Sequence, residues 1–139
     1  MSSLSNRTPG QVAALWVAAY NSHDADVAAA LYDEKVVNVQ IPWETSIHGR
    51  DAMRSTYQRV FQAFPDLSVE IENQLESGQE VAVEWHFRGT MRGSFAGHPP
   101  SGSAFSLRGC ELFQIKAGMI VGQRGYWDKA TLFRQLKLG

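Results

Sequence analysis

The chain has 139 residues, of which 44% are hydrophobic and 11% aromatic. That is one domain, able to bury roughly two thirds of the surface its unfolded chain would expose. The formal net charge is -1, from 13 basic and 14 acidic residues without a basic stripe, which argues against a nucleic-acid or membrane-surface protein. Its single cysteine, Cys110, excludes an internal disulfide and a cysteine-based metal cage.

Met1 to Gly10 is polar, without the apolar core of a signal peptide, and no run is long enough to span a bilayer; the expected compartment is cytoplasmic. Thr8, Pro9 and Gln11 form a helix start with a capping box. Val12, Leu15, Trp16, Ala19 and Tyr20 follow at helical spacing. Asp24 can cap a second short helix with Val27, Ala28, Leu31 and Tyr32 on its apolar side. Val36 to Ile41 reads as a strand ended by Pro42, and Trp43 to His48 as a loop. A third helix opens at Asp51, carries Met53, Tyr57, Val60, Phe61 and Phe64 on one side, and stops at Pro65. Leu67 to Asn73 alternates as a strand with one wet face. In the next strand Val81, Val83, Trp85 and Phe87 share one side, and His86 sits on the other, facing solvent or a subunit. A Gly/Pro-rich connection from Gly89 to Gly102 leads to a final hairpin and a terminal helix capped by Asp128. Helices come first and hairpin-linked strands follow, which gives an α+β fold with a mostly antiparallel sheet.

The final hairpin carries the chemistry. A three-residue turn, Lys116-Ala117-Gly118, would set Ile115 opposite Met119, Phe113 opposite Val121, Glu111 opposite Gln123 and Gly109 opposite Gly125. Phe105, Leu107, Glu111, Phe113, Ile115, Met119, Val121, Gln123 and Trp127 then share an inward, largely apolar face, while Cys110, Leu112, Ile120 and Tyr126 look outward. A two-residue turn would pair Glu111 with Arg124 instead. A carboxyl on an apolar face has its pKa raised by burial and can move protons. Gln123 would orient it, with Gly109 and Gly125 leaving space for a ligand.

The segments FPDLSVEIE, VAVEWHFRGTMRGSFAGHPPSG and YWDKATLFRQL resemble the SnoaL-like polyketide cyclases of the nuclear transport factor 2-like superfamily, which includes ketosteroid isomerase. The likeness extends over nearly the whole chain. It implies a cone-shaped α+β barrel: a curved sheet wrapped by N-terminal helices, closed by a short C-terminal helix, around a deep apolar pocket. It also implies cofactor-free acid/base chemistry without a metal, and a homodimer through the outer sheet face. Carried across residue by residue, the family's catalytic Asp falls on Gly125 and its assisting His on Glu111. Asp128 matches an acid nearer the helix start.

The expected ligand is therefore a hydrophobic, carbonyl-bearing small molecule, handled by a cyclase or isomerase. Glu111 would be the acid/base and Gln123 its orienter. Tyr20, Trp43, Trp85, Phe113, Trp127 and Asp128 are candidates for binding the substrate. The four histidines have no metal-ligand spacing. The rival expectations are a small-ligand binding protein without chemistry, and an interaction domain that works through its outer sheet face.

Overall fold

A computed structural model describes residues 6–139 as four helices and a six-stranded sheet. The reading of Met1–Gly10 falls partly on residues 1–5, outside the described residues. Helix α1 (Pro9–Ser22) starts where its capping box predicts: the Thr8 hydroxyl accepts from the Gln11 N–H at 3.1 Å, and the Gln11 side chain accepts from the Thr8 N–H at 2.9 Å. Val12, Trp16 and Ala19 are buried, while Leu15 is exposed. Asp24 caps α2 (Ala25–Ala29), whose Val27 is exposed rather than packed. Tyr32, expected on that helix, instead opens strand β1 (Tyr32–Gln40) and is fully buried.

Trp43 to His48 is not a loop. Ile41–Trp43 forms a 3-10 turn, and Thr45–His48 is strand β2, paired antiparallel with β1. Its residues are mostly exposed, as suits a short edge strand with no apolar alternation to mark it. Helix α3 (Arg50–Ala63) buries Met53, Tyr57 and Phe61. Strands β3 (Ser68–Ser77), β4 (Glu80–Thr90), β5 (Ala104–Lys116) and β6 (Met119–Tyr126) follow, then α4 (Lys129–Leu136) under its Asp128 cap.

The sheet order is β2-β1-β6-β5-β4-β3, antiparallel except where β1 runs parallel to β6. The helices pack on one face of the curved sheet, α1 across β3 to β5, α3 across β1 and α4 on β5. Among the described residues no helix is long and apolar enough to cross a membrane.

The last hairpin differs from its expected register. Lys116 pairs with Met119, so the turn has two residues, with Ala117 (φ 51°) and Gly118 (φ 74°) both left-handed. A bulge beside Val121 then adds one residue to β6, and Gln114 pairs with Gly122. The bulge restores the odd-to-odd pairing that the tighter turn alone would have destroyed. Glu111 therefore lies opposite Gly125, and Gln123 opposite Phe113. Ile120, before the bulge, is fully buried rather than outward, and Val121, at the bulge, lines the outer face rather than the inner one. His86 also departs from expectation. It is on the outer side of β4 but only 5% exposed, covered by the Glu70, Glu72, Arg88 and Ser106 side chains.

Candidate functional site

The sheet's inner face and the helices enclose a cavity of about 190 Å³. Its wall is mostly aromatic and aliphatic, with a few amides and one carboxyl, Glu111. That side chain is 3% exposed. Its Oε1 accepts from Gln123 Nε2 at 2.7 Å and from Gln40 Nε2 at 2.6 Å; its Oε2 accepts from Trp85 Nε1 at 2.9 Å. Burial pushes its pKa up, and the three hydrogen bonds pull the other way. Each hydrogen bond to a charged group contributes about 1.5–3 kcal/mol. Burying the ion costs several kcal/mol. Burial is the larger effect, so the carboxyl stands above the usual carboxylate range and is placed to take up or release a proton.

Two glycines make this geometry possible. Gln40, Gly125 and Glu111 lie in one row across β1, β6 and β5. A Cβ on Gly125 would strike the Gln40 amide, so its absence lets Gln40 lean across β6 to reach Glu111. Likewise Trp85 sits opposite Gly109, and a Cβ there would strike the indole ring. Gly109 thus lets Trp85 slant across β5 to the same carboxyl. The space a side chain at Gly125 would take is filled from the neighbouring strand, by the Gln40 amide.

Behind the carboxyl the network continues. Gln123 Oε1 accepts from the Tyr32 hydroxyl at 2.7 Å, which meets the Tyr57 hydroxyl at 2.7 Å, which accepts from Trp16 Nε1 at 3.1 Å. On the other side Gln40 Oε1 accepts from Trp127 Nε1 at 2.9 Å, and Gln40 Nε2 also donates to Asn38 Oδ1 at 2.8 Å. Burial, first of all, raises the pKa values of Tyr20, Tyr32 and Tyr57 well above the usual phenol value. All three therefore stay neutral donors at ordinary pH.

Of the residues singled out in sequence, Glu111, Gln123, Tyr20, Trp43, Trp85 and Trp127 all line the cavity. Phe113 does not: it is buried behind the wall, edge-on to Trp16 with ring centroids 5.1 Å apart. Asp128 is exposed and spent on capping α4, where its bonds to Thr131 and Ala130 lower its pKa. Gln40, Tyr32, Tyr57 and Trp16 were not singled out as parts of one network. The alternation of Val36, Asn38 and Gln40 placed two amides on the face of a buried valine, and that was the available signal. Outside the cavity, Glu70, Glu72 and His86 bring possible ligand atoms within 4.8 Å of one another. Arg88 and Arg108 already pair with those two carboxylates, at 3.2 and 2.8 Å.

The family model for SnoaL-like polyketide cyclases matches residues 10–136. The chain belongs to the SnoaL-like polyketide cyclase family. Solved structures agree on the fold at low identity. A SnoaL-like polyketide cyclase from Jannaschia sp. is 20% identical with a TM-score of 0.83, covering 96% of this chain and 98% of its own. IdmH from Streptomyces antibioticus, described as a polyketide cyclase, is 24% identical with a TM-score of 0.78, covering 95% and 100%. A hypothetical protein from Catenulispora acidiphila with a ketosteroid isomerase-like fold, in complex with trimethylamine, is 17% identical with a TM-score of 0.82, covering 96% of each chain. A comparison against curated proteins found no match.

Proposed function

We propose that this SnoaL-like protein binds a hydrophobic, carbonyl-bearing small molecule in the cavity and moves a proton next to the carbonyl, as a cyclase or isomerase does. The supporting observation is Glu111: a carboxyl buried in an apolar cavity and held in place by three side-chain donors. The Tyr20 hydroxyl supplies the complementary group. Tyr20 lines the same cavity with a neutral hydroxyl beside that of Tyr57, and its hydrogen would be given to the substrate carbonyl. Glu111 takes a proton from the carbon beside the carbonyl, and negative charge collects on the oxygen facing Tyr20; Glu111 then returns the proton to the isomerised carbon or, in a cyclisation, to the alkoxide left when the enolate carbon attacks a second carbonyl. No cofactor is needed for these steps. Trp43, Trp85 and Trp127 give the ligand its apolar walls.

The test is exchange of the hydrogens next to the carbonyl of a bulky ketone, β-tetralone, in D2O. Exchange faster than in buffer alone is the result expected. Saturable quenching of tryptophan emission by the ketone, with exchange at the buffer rate, would leave a binding protein without this chemistry.

The outer face of the sheet supports a second, separate proposal, a homodimer. It forms a shallow hollow of about 540 Å³ lined by Leu75, Val37, Val39, Leu112, Val121 and Arg124. Leu75 is 67% exposed there, an apolar side chain left in water by the single chain. Sedimentation equilibrium should give twice the 15.4 kDa chain mass, and Leu75→Asp should return a monomer. A wild-type monomer overturns the proposal.

A further inference from the structure

Three tryptophans mark the ends of the network around Glu111, and an indole N–H can only donate a hydrogen bond. Trp16 gives its hydrogen to the Tyr57 oxygen at 3.1 Å. The Tyr32 hydrogen goes to Gln123 Oε1 at 2.7 Å, which leaves the Tyr57 hydrogen to fill the 2.7 Å contact with the Tyr32 oxygen. With its oxygen engaged, the Gln123 amide must turn its N–H toward Glu111, at 2.7 Å. Trp127 does the same to Gln40: it occupies that amide's oxygen at 2.9 Å, so the NH2 end faces Asn38 and Glu111. Trp85 donates to Glu111 directly. A line from each indole thus ends on the carboxyl, and none of these partners offers it an acceptor.

We propose that Trp16, Tyr57 and Tyr32 are positioning residues that fix the direction of the Gln123 amide, so that Glu111 meets only donors and waits as the carboxylate, a base rather than an acid. A protonated Glu111 would point its O–H at an N–H unless one amide turned over. Turning Gln123 forces the Tyr32 hydrogen onto the Tyr57 oxygen that Trp16 already occupies and turns the Tyr57 hydrogen away from Tyr32; turning Gln40 sets its NH2 against the Trp127 donor. The polarity set by the indoles therefore opposes the proton that burial favours. It deepens the proposed function and takes from it only that Glu111 is the proton carrier.

The other titratable groups facing the carboxyl are few. Tyr20 on α1, Tyr32 on β1 and Tyr57 on α3 stay neutral. Trp85 on β4, Gln123 on β6, and Asn38 and Gln40 on β1 do not titrate. Cys110, the next residue along β5, has its thiol pKa raised, chiefly by burial. No lysine, arginine, histidine or second acid lines the cavity among the described residues. The direction of the hydrogen bonds is therefore the control left to the protein.

The experiment is a titration of the Glu111 side-chain carboxyl, followed by NMR of isotope-labelled glutamate and assigned with Glu111→Gln. It needs no substrate, so it stands or fails separately from the exchange reaction. Tyr32→Phe frees the Gln123 oxygen to turn toward Glu111. The carboxyl should then hold its proton about tenfold more tightly, the scale of one hydrogen bond to a charged group. Tyr57→Phe, one link further back, should act in the same direction by less. In a Gln123→Leu background there is no amide to turn, and neither substitution should shift the titration further. An unchanged midpoint in folded Tyr32→Phe, or the same shift in the Gln123→Leu background, overturns the proposal. If Tyr32→Phe does not fold, Tyr57→Phe with and without Gln123→Leu decides by the same two outcomes.

Discussion

Gly125 faces Glu111 across the last hairpin, and its role follows from what a side chain would displace. In Gly125→Ala the three nearest atoms to the added Cβ all belong to the Gln40 amide, closer than atoms can approach without moving it. The amide must swing out and give up three hydrogen bonds, to Glu111, to Asn38 and from Trp127. The first is charge-assisted and contributes about 1.5–3 kcal/mol, the other two about 0.5–1.5 kcal/mol each. Gly125 does not have a positive φ, so alanine fits the backbone and recovers about 0.4–1 kcal/mol through the unfolded chain. The net expectation is a loss of about 3–4 kcal/mol, read as a lower urea midpoint at unchanged slope. In a Gln40→Ala background the obstacle is gone, and Gly125→Ala should be neutral or slightly stabilising. Equal losses in both backgrounds, or no loss in either, would refute the idea that Gly125 is empty to admit Gln40.

Glu111 also predicts a pH dependence of stability. Its folded pKa lies above the unfolded value of about 4.3. The stabilisation it confers is therefore complete below that pH and is lost as pH rises through the raised folded pKa. Urea melts of wild type against Glu111→Gln should show the difference moving against wild type as pH rises from about 4; a constant or opposite trend contradicts the burial cause. Tyr20→Phe should slow hydrogen exchange of a bound ketone by about 10²-fold, the effect of removing one oxyanion donor, with ketone affinity nearly retained. An unchanged rate removes Tyr20 from the chemistry. Gly109→Ala should weaken the Trp85 bond to Glu111 and shift the indole's ultraviolet absorption, whereas an unaltered spectrum would mean the ring has room to spare.

Much of this was legible in the sequence, because the signals were local. Thr8, Asp24 and Asp128 each cap the helix they were expected to cap, and the alternation of β4 and β5 set Trp85 and Glu111 inward. What escaped depended on a single residue of register. Lys116-Ala117-Gly118 reads as a three-residue closure because a left-handed alanine is uncommon, yet Ala117 adopts that conformation. Two offsets, the shorter turn and the bulge by Val121, then cancel, so Glu111 faces inward as expected but has Gly125, not Gln123, across the strand. Gln40 was hidden for a different reason. Its partnership with Glu111 spans a parallel pairing between the first and last strands, 71 positions apart in the chain. No short-range pattern encodes such a contact, and only the emptiness of Gly125 points to it.

The most direct measurement is the exchange rate of β-tetralone in D2O with wild type and Glu111→Gln side by side, at saturating ketone. If Glu111 carries the proton, the substitution should cost about 10²–10⁴-fold in rate while tryptophan quenching shows the ketone still bound. Equal rates at equal binding would show that the proton travels by another group.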